Sequence, residues 1–288
     1  MPVSSLRHPS RAGRGPRRRP VLRTASALLV AAASLLLAAC ASTDAPTIAA
    51  GPTSTETSSS ASTAPAPVPV PPIASAPTTA AAVPPITVVV LGSSTAAGIG
   101  VTDPAESWVQ RYAASLEAAD PANEVVNLAV PRLTSFEVLP TGWEVGGGRP
   151  PADPAHNVTA ALERRPDAII VNLPSNDIAR GYPVGDLLTN LDRIAGTAAN
   201  AGVEVWVTTT QPASLEPTDR QRLQNARDVI IGRFGDHAIN VWAGLATSGG
   251  SLDPAYDSGD GIHLNTAGHQ LLAERVAAAG IPQALAAS

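Results

Sequence analysis

Val88-Val89-Val90-Leu91 is an unbroken apolar run that leads into Gly92-Ser93-Ser94-Thr95-Ala96-Ala97-Gly98. Without polar alternation, such a run predicts a strand covered on both faces. The small residues after it predict a sharp turn that leaves short hydroxyls at the strand's C-terminal edge. Further strand patterns follow, so that the predicted strands are 86–91, 124–128, 168–173, 203–209 and 238–242. Helix patterns lie between and after them, near 104–119, 154–164, 185–201, 217–233 and 265–279. Pro104 and Pro217 suit first helical turns, and Gly202 and Gly280 suit helix C-termini. This alternation predicts a mostly parallel sheet with helices on both faces. Thr134–Asp153 has no clear period and holds Trp143 and Gly146-Gly147-Gly148. It predicts a long loop, with Trp143 as a candidate pocket wall.

The first 85 residues read differently. Residues 1–23 are Arg-rich and free of acids, and 27–39 form a short apolar core, ALLVAAASLLLAA. Its 13 residues are too few to span a bilayer comfortably and fit a signal-peptide core. It ends Leu37-Ala38-Ala39-Cys40, which resembles the lipobox of a bacterial lipoprotein. That resemblance implies removal of residues 1–39 and a lipidated Cys40 at the new N-terminus. Residues 41–85 are rich in Ala, Pro, Ser and Thr and bury too little apolar surface to fold. They are expected to tether residues 86–288, a single domain, to the cell membrane, facing outside the cytoplasm.

Composition sharpens this division. The chain of 288 residues has a net charge of −5 and no Lys. Seven of its 19 Arg precede residue 40, which leaves 12 Arg against 24 acids in the remainder. An acidic body argues against a nucleic-acid partner. The single cysteine, Cys40, excludes an intramolecular disulfide.

Acyl transfer at a serine needs a hydroxyl, a base, a group that orients the base, and donors for the developing oxyanion. Ser94, at the end of the first strand, supplies the hydroxyl. In Asp257-Ser258-Gly259-Asp260-Gly261-Ile262-His263, Asp260 and His263 stand three apart, ahead of a helix that Asn265 or Thr266 can cap. A turn of that spacing brings the carboxylate to one imidazole nitrogen and leaves the other free. Asn176, in Leu173-Pro174-Ser175-Asn176-Asp177, follows an apolar strand, so its amide belongs to the same edge as Ser94. Asp177 either caps a helix or supports the site. A further donor is expected near Asn127–Arg132. His269 is expected to pack or cap, His156 and His237 to lie near the surface, Trp108 and Trp206 to be core, and Gln211 to line the site.

In this order, the four blocks resemble the SGNH/GDSL hydrolase family, over essentially all of residues 86–288. The resemblance implies a three-layer α/β/α sandwich with a mostly parallel, five-stranded, flavodoxin-like sheet. It implies Ser94 as nucleophile, His263 as base and Asp260 as its orienter. The oxyanion donors it implies are the Asn176 side chain and the backbone N–H groups of Ser94 and Arg132. It implies no metal and no cofactor. Three positions depart from the family pattern. Ser93 stands for an Asp, Pro174 for a Gly, and Arg132 for the oxyanion Gly. Arg132 keeps a backbone N–H, but serves as donor only if it tolerates a glycine-like conformation. Its side chain is then expected to narrow the site or to read an acidic substrate group.

The expected function is hydrolysis of carboxylic esters through an acyl-Ser94 intermediate, on a small acyl ester, a lipid or an acylated glycan. Three alternatives stay open: an O-acyltransferase acting on a glycan or lipid hydroxyl, a binding module that cradles a phosphate, and a catalytically dead relative.

Overall fold

A computed structural model describes residues 84–288. The signal peptide, Cys40 and nearly all of the tether expected from the sequence lie outside these residues. Five strands form one parallel sheet: β1 (Thr87–Gly92), β2 (Glu124–Asn127), β3 (Ala168–Asn172), β4 (Glu204–Thr208) and β5 (Ala238–Ile239). Their order is β2-β1-β3-β4-β5, the flavodoxin-like arrangement. Seven α-helices accompany them: α1 (Trp108–Ala119), α2 (Val158–Glu163), α3 (Asn176–Ala179), α4 (Val184–Ala199), α5 (Pro217–Phe234), α6 (Thr266–Ala278) and α7 (Ile281–Ala287).

β1 shows why its run carries no polar alternation. Val88 and Val90 face one apolar cluster, with Trp108 and Tyr112 of α1 and Leu272 and Val276 of α6. Val89 and Leu91 face another, with Val158 of α2, Leu191 and Ile194 of α4 and Ile230 of α5. Successive strand residues point to opposite faces, so a strand between two helical layers must be apolar throughout. The result is the three-layer α/β/α sandwich. Among the described residues no helix is long and apolar enough to cross a membrane.

Local chemistry sets the element ends. The first expected helix is broken: a 3-10 turn covers Pro104–Glu106, and Ser107 then caps α1 by accepting from the Gln110 N–H. Asn157 caps α2 through the Ala160 N–H and delays its start to Val158. β5 stops at Ile239 and not at Trp242. There the Thr209 hydroxyl accepts from the Val241 N–H and Asn240 from the Trp242 N–H, which draws the backbone off the ladder. α3 and α7 are short elements that the sequence pattern does not announce. The 134–153 stretch holds no helix or strand, but Phe136, Val138 and Leu139 root it in the second apolar cluster.

Within the α1/α6 layer, His269 of α6, which is fully buried, ties α6 to the start of α1 and to the turn after β1. Its Nδ1 accepts from the Trp108 N–H at the start of α1, and its Nε2 donates to the Ile99 carbonyl. Burial pushes its pKa down, so the ring stays neutral and serves both bonds. Beside it the chain crosses at Gly100, whose φ is +109°. A Cβ there would lie 2.0 Å from the Leu264 carbonyl oxygen. The turn after β1 can approach the loop before α6 only with glycine at this position. Gly100→Ala is expected to lower the unfolding free energy by about 1–3 kcal/mol in urea titrations. A change below about 0.5 kcal/mol would show that the crossing is not close.

Candidate active site

In a 2-1-3-4-5 sheet the strand order reverses between β1 and β3, and a crevice opens beyond their C-terminal ends. Ser94 sits there. The Ser93 N–H donates to the Asn172 carbonyl and continues the β1–β3 pairing by one residue. The backbone then turns, and Ser94 leaves the sheet with its own N–H donating to no protein acceptor among the described residues.

The loop before α6 meets Ser94 from the other side. Asp257 folds it, its carboxylate accepting from the Gly259 and Gly261 N–H groups. Asn265 caps α6 through the Gly268 N–H. Asp260 Oδ1 accepts from the backbone N–H groups of Ile262 and His263, at 2.9 and 2.8 Å. Its Oδ2 lies 2.6 Å from His263 Nδ1. On the far side of the ring, His263 Nε2 lies 3.0 Å from Ser94 Oγ.

The protonation pattern follows from Asp260. Partial desolvation pushes its carboxyl up. The His263 N–H and imidazole and the Ile262 N–H together outweigh that and bring it to about 2. An ionised carboxylate only accepts, so Nδ1 carries the ring proton and Nε2 of the neutral ring accepts from the Ser94 hydroxyl. The arrangement can take the hydroxyl proton and hold the imidazolium beside a fixed negative charge.

Opposite Ser94 stands the 131–135 loop, which follows β2. Arg132 there has φ +79°. For a side-chain-bearing residue the left-handed region costs roughly 1–2 kcal/mol, so neighbours must hold it. They come from α3 and the residue after it. Arg180 Nη2 donates to the Arg132 carbonyl at 2.7 Å. Asn176 Nδ2 donates to the Leu133 carbonyl at 2.8 Å. Asp177 accepts from the Ser135 N–H at 3.0 Å and its hydroxyl at 2.6 Å, and Asn190 donates to the same hydroxyl. The Arg132 N–H donates to no protein acceptor among the described residues, and the Asn176 amide keeps its second N–H.

Gln211 adds a hidden link. It is buried and does not line the crevice as expected. Thr95, beside Ser94, donates to its Oε1, and its Nε2 donates to the Ile262 carbonyl, beside His263. One amide thus ties the serine turn to the histidine loop. The crevice itself encloses about 550 Å³. Ser94, His263, Asn176, Arg132 and Arg180 supply its polar lining, and Ile99 and Ile262 part of its apolar wall. The structure therefore brings together all five residues singled out from the sequence, Asp260 standing behind His263. Trp143 is not with them. It stacks under Arg193, 3.6 Å from the guanidinium, beside a separate cavity over α4. His156 pairs with Asp153 and His237 with Glu204, both away from Ser94. Among the described residues no group of three or more His, Cys, Asp and Glu side chains converges as a metal site.

The Asp177 pair gives a pH prediction. Burial pushes this carboxyl up, and the Ser135 groups pull it back only part of the way, to about 6. The neutral acid is thus the form that the fold prefers. Its stabilising contribution is fully present below the ordinary 3.8 and is lost as pH rises through about 6. Measured against Asp177→Asn by urea midpoints, the wild type is expected to lose stability between pH 4 and 7. A constant difference over that range would contradict the assignment.

The comparisons agree with the fold. The chain is similar in structure to a protein of the G-D-S-L family from Desulfitobacterium hafniense DCB-2, with TM-score 0.52 and 12% identity, over 67% of this chain and 99% of that one. It is similar to a GDSL-like lipase from Bacteroides thetaiotaomicron VPI-5482, with TM-score 0.51 and 17% identity, over 69% and 88%. No curated protein matches the sequence. The profile of the GDSL-like Lipase/Acylhydrolase family matches residues 90–271, a span that runs from β1 into α6 and includes Ser94, Arg132, Asn176, Asp260 and His263. The chain belongs to that family.

Proposed function

We propose that this protein is a serine-dependent carboxylic ester hydrolase that works through an acyl-Ser94 intermediate. The observation that carries the reading is the hydrogen-bonded chain Ser94–His263–Asp260 at the mouth of the crevice. His263 Nε2 takes the Ser94 proton as Oγ attacks the ester carbonyl carbon. The carbonyl π electrons move onto oxygen. This oxyanion is held by the N–H groups of Ser94 and Arg132 and by the Asn176 amide. The tetrahedral intermediate collapses, the C–O bond to the alcohol breaks, and the imidazolium protonates the leaving alkoxide. Water, deprotonated by His263, then attacks the acyl-enzyme and releases the acid and free Ser94. Asp260 remains ionised and holds the ring in the tautomer that accepts from Ser94.

In this reading Arg132 serves as a donor in the left-handed conformation, φ +79°, that glycine would adopt at no steric cost. Leu37-Ala38-Ala39-Cys40 further supports a lipid anchor on Cys40 and a catalytic domain held outside the cytoplasm. Expression with radiolabelled palmitate should label the wild type and not Cys40→Ser. Equal labelling of both would remove the anchor.

Short-chain 4-nitrophenyl esters test the chemistry. Ser94→Ala should abolish turnover above background. Asn176→Ala should lower kcat by about 10²–10³, with its unfolding midpoint reported alongside. Unchanged turnover in Ser94→Ala would overturn the nucleophile, and a loss under about threefold in Asn176→Ala would remove that amide from the oxyanion site.

A further inference from the structure

We infer that the substrate carries an anionic group beside its ester, and that the Arg132 side chain recognises it. The inference rests on the hydrolase reading and adds the substrate's charge. It begins from a residue choice that local energetics oppose. The 132 position needs a positive φ, which glycine adopts freely and arginine does not. A glycine would leave the backbone N–H in place with no strain. Arg165 also has a positive φ, of +54°, but does not line the Ser94 crevice, so the strain at 132 gains meaning from where its side chain stands.

What that side chain meets is the second observation. Arg132 lines the Ser94 crevice and is exposed. Among the described residues it makes no ion pair. Arg180, the other cation of the crevice, is already committed. It donates to the Arg132 carbonyl and lies 3.9 Å from the Glu137 carboxylate. No carboxylate lines the crevice.

The contrast with the rest of the chain is the third. After residue 40 there are 24 acids and 12 Arg, so the chain beyond the leader carries a net negative charge. An uncompensated guanidinium at the one crevice that holds Ser94 reverses that sign locally. Its planar fork suits a carboxylate, sulfate or phosphate bidentately. Arg180 acts as a positioning residue, since its bond to the Arg132 carbonyl helps to keep the strained conformation.

The test reads a ratio, so any loss caused by the shared backbone donor cancels. On the acyl side, 4-nitrophenyl hydrogen succinate is compared with 4-nitrophenyl butyrate. On the alcohol side, 4-acetoxybenzenesulfonate is compared with phenyl acetate. In at least one pair, Arg132→Gly should lower the anionic-to-neutral ratio of kcat/KM by about tenfold, and Arg132→Lys should lower it less. The responding pair identifies which side of the ester bears the charge. Ratios within about twofold of wild type in both pairs, for Arg132→Gly, would overturn the inference.

A binding arm keeps this separate from failure of the hydrolase reading. By ligand-observed NMR, Ser94→Ala should bind monoethyl succinate or ethyl sulfoacetate more tightly than Ser94→Ala/Arg132→Gly does. Equal affinity for both ligands would contradict the anion site whether or not any ester is turned over. Loss of turnover in the wild type with that difference retained would contradict the hydrolase reading alone.

Discussion

A strand covered on both faces has no side on which to present a polar group, so its chemistry must lie beyond its end. β1 obeys this constraint along its length, with Val88 and Val90 facing one helical layer and Val89 and Leu91 the other. The sheet order then places that end next to β3, where the backbone paths diverge and a crevice opens. Ser94 occupies it, and the remaining site residues arrive from the ends of other segments. Asn176 comes from the start of α3, after β3. Arg132 comes from the loop after β2, and His263 from the loop before α6. The two apolar layers hold the strand ends at fixed separations.

What the polar groups do is fix the loops. Asp260 divides its oxygens between two backbone N–H groups and the imidazole, so the residue that orients the base also shapes the turn that bears it. Gln211 joins that turn to the serine turn. α3 and Arg180 do the same for the 131–135 loop, through three side chains bonded to three of its residues. Four residues are too few to make a stable helix alone. α3 is held by what it clamps as much as it clamps it, with Ile178 buried beneath. The strain at Arg132 is tolerated because this clamp over-determines it.

Much of this was legible in the residues. An all-apolar run ending in Gly and Ser announces a covered strand and a turn. Asp-x-x-His before a capped helix announces a short-range pair, because both partners belong to one turn. Five strands and the helices α1, α2, α4, α5 and α6 were legible for the same local reason. Contacts between distant segments were not. Gln211 has no sequence feature that marks its bridge from Thr95 to Ile262, 116 and 51 residues away. The Arg180 bond to the Arg132 carbonyl spans 48 residues and depends on how two loops pack. Trp143 misled for a related reason. Its loop is rooted over α4 by Phe136, Val138 and Leu139, and that packing turns the indole toward Arg193 and away from Ser94. β5 fell short of its apolar pattern because Asn240 and Thr209 captured the N–H groups that a longer ladder would have used.

The central claim is that Ser94 is activated by its partners and is not simply exposed. The most direct measurement is covalent trapping with a fluorophosphonate, read by mass spectrometry of the proteolytic peptides. A single adduct is expected on Ser94, formed by the folded protein and strongly slowed in His263→Ala. An adduct on another serine, or labelling of Ser94 at the same rate without His263, would contradict it.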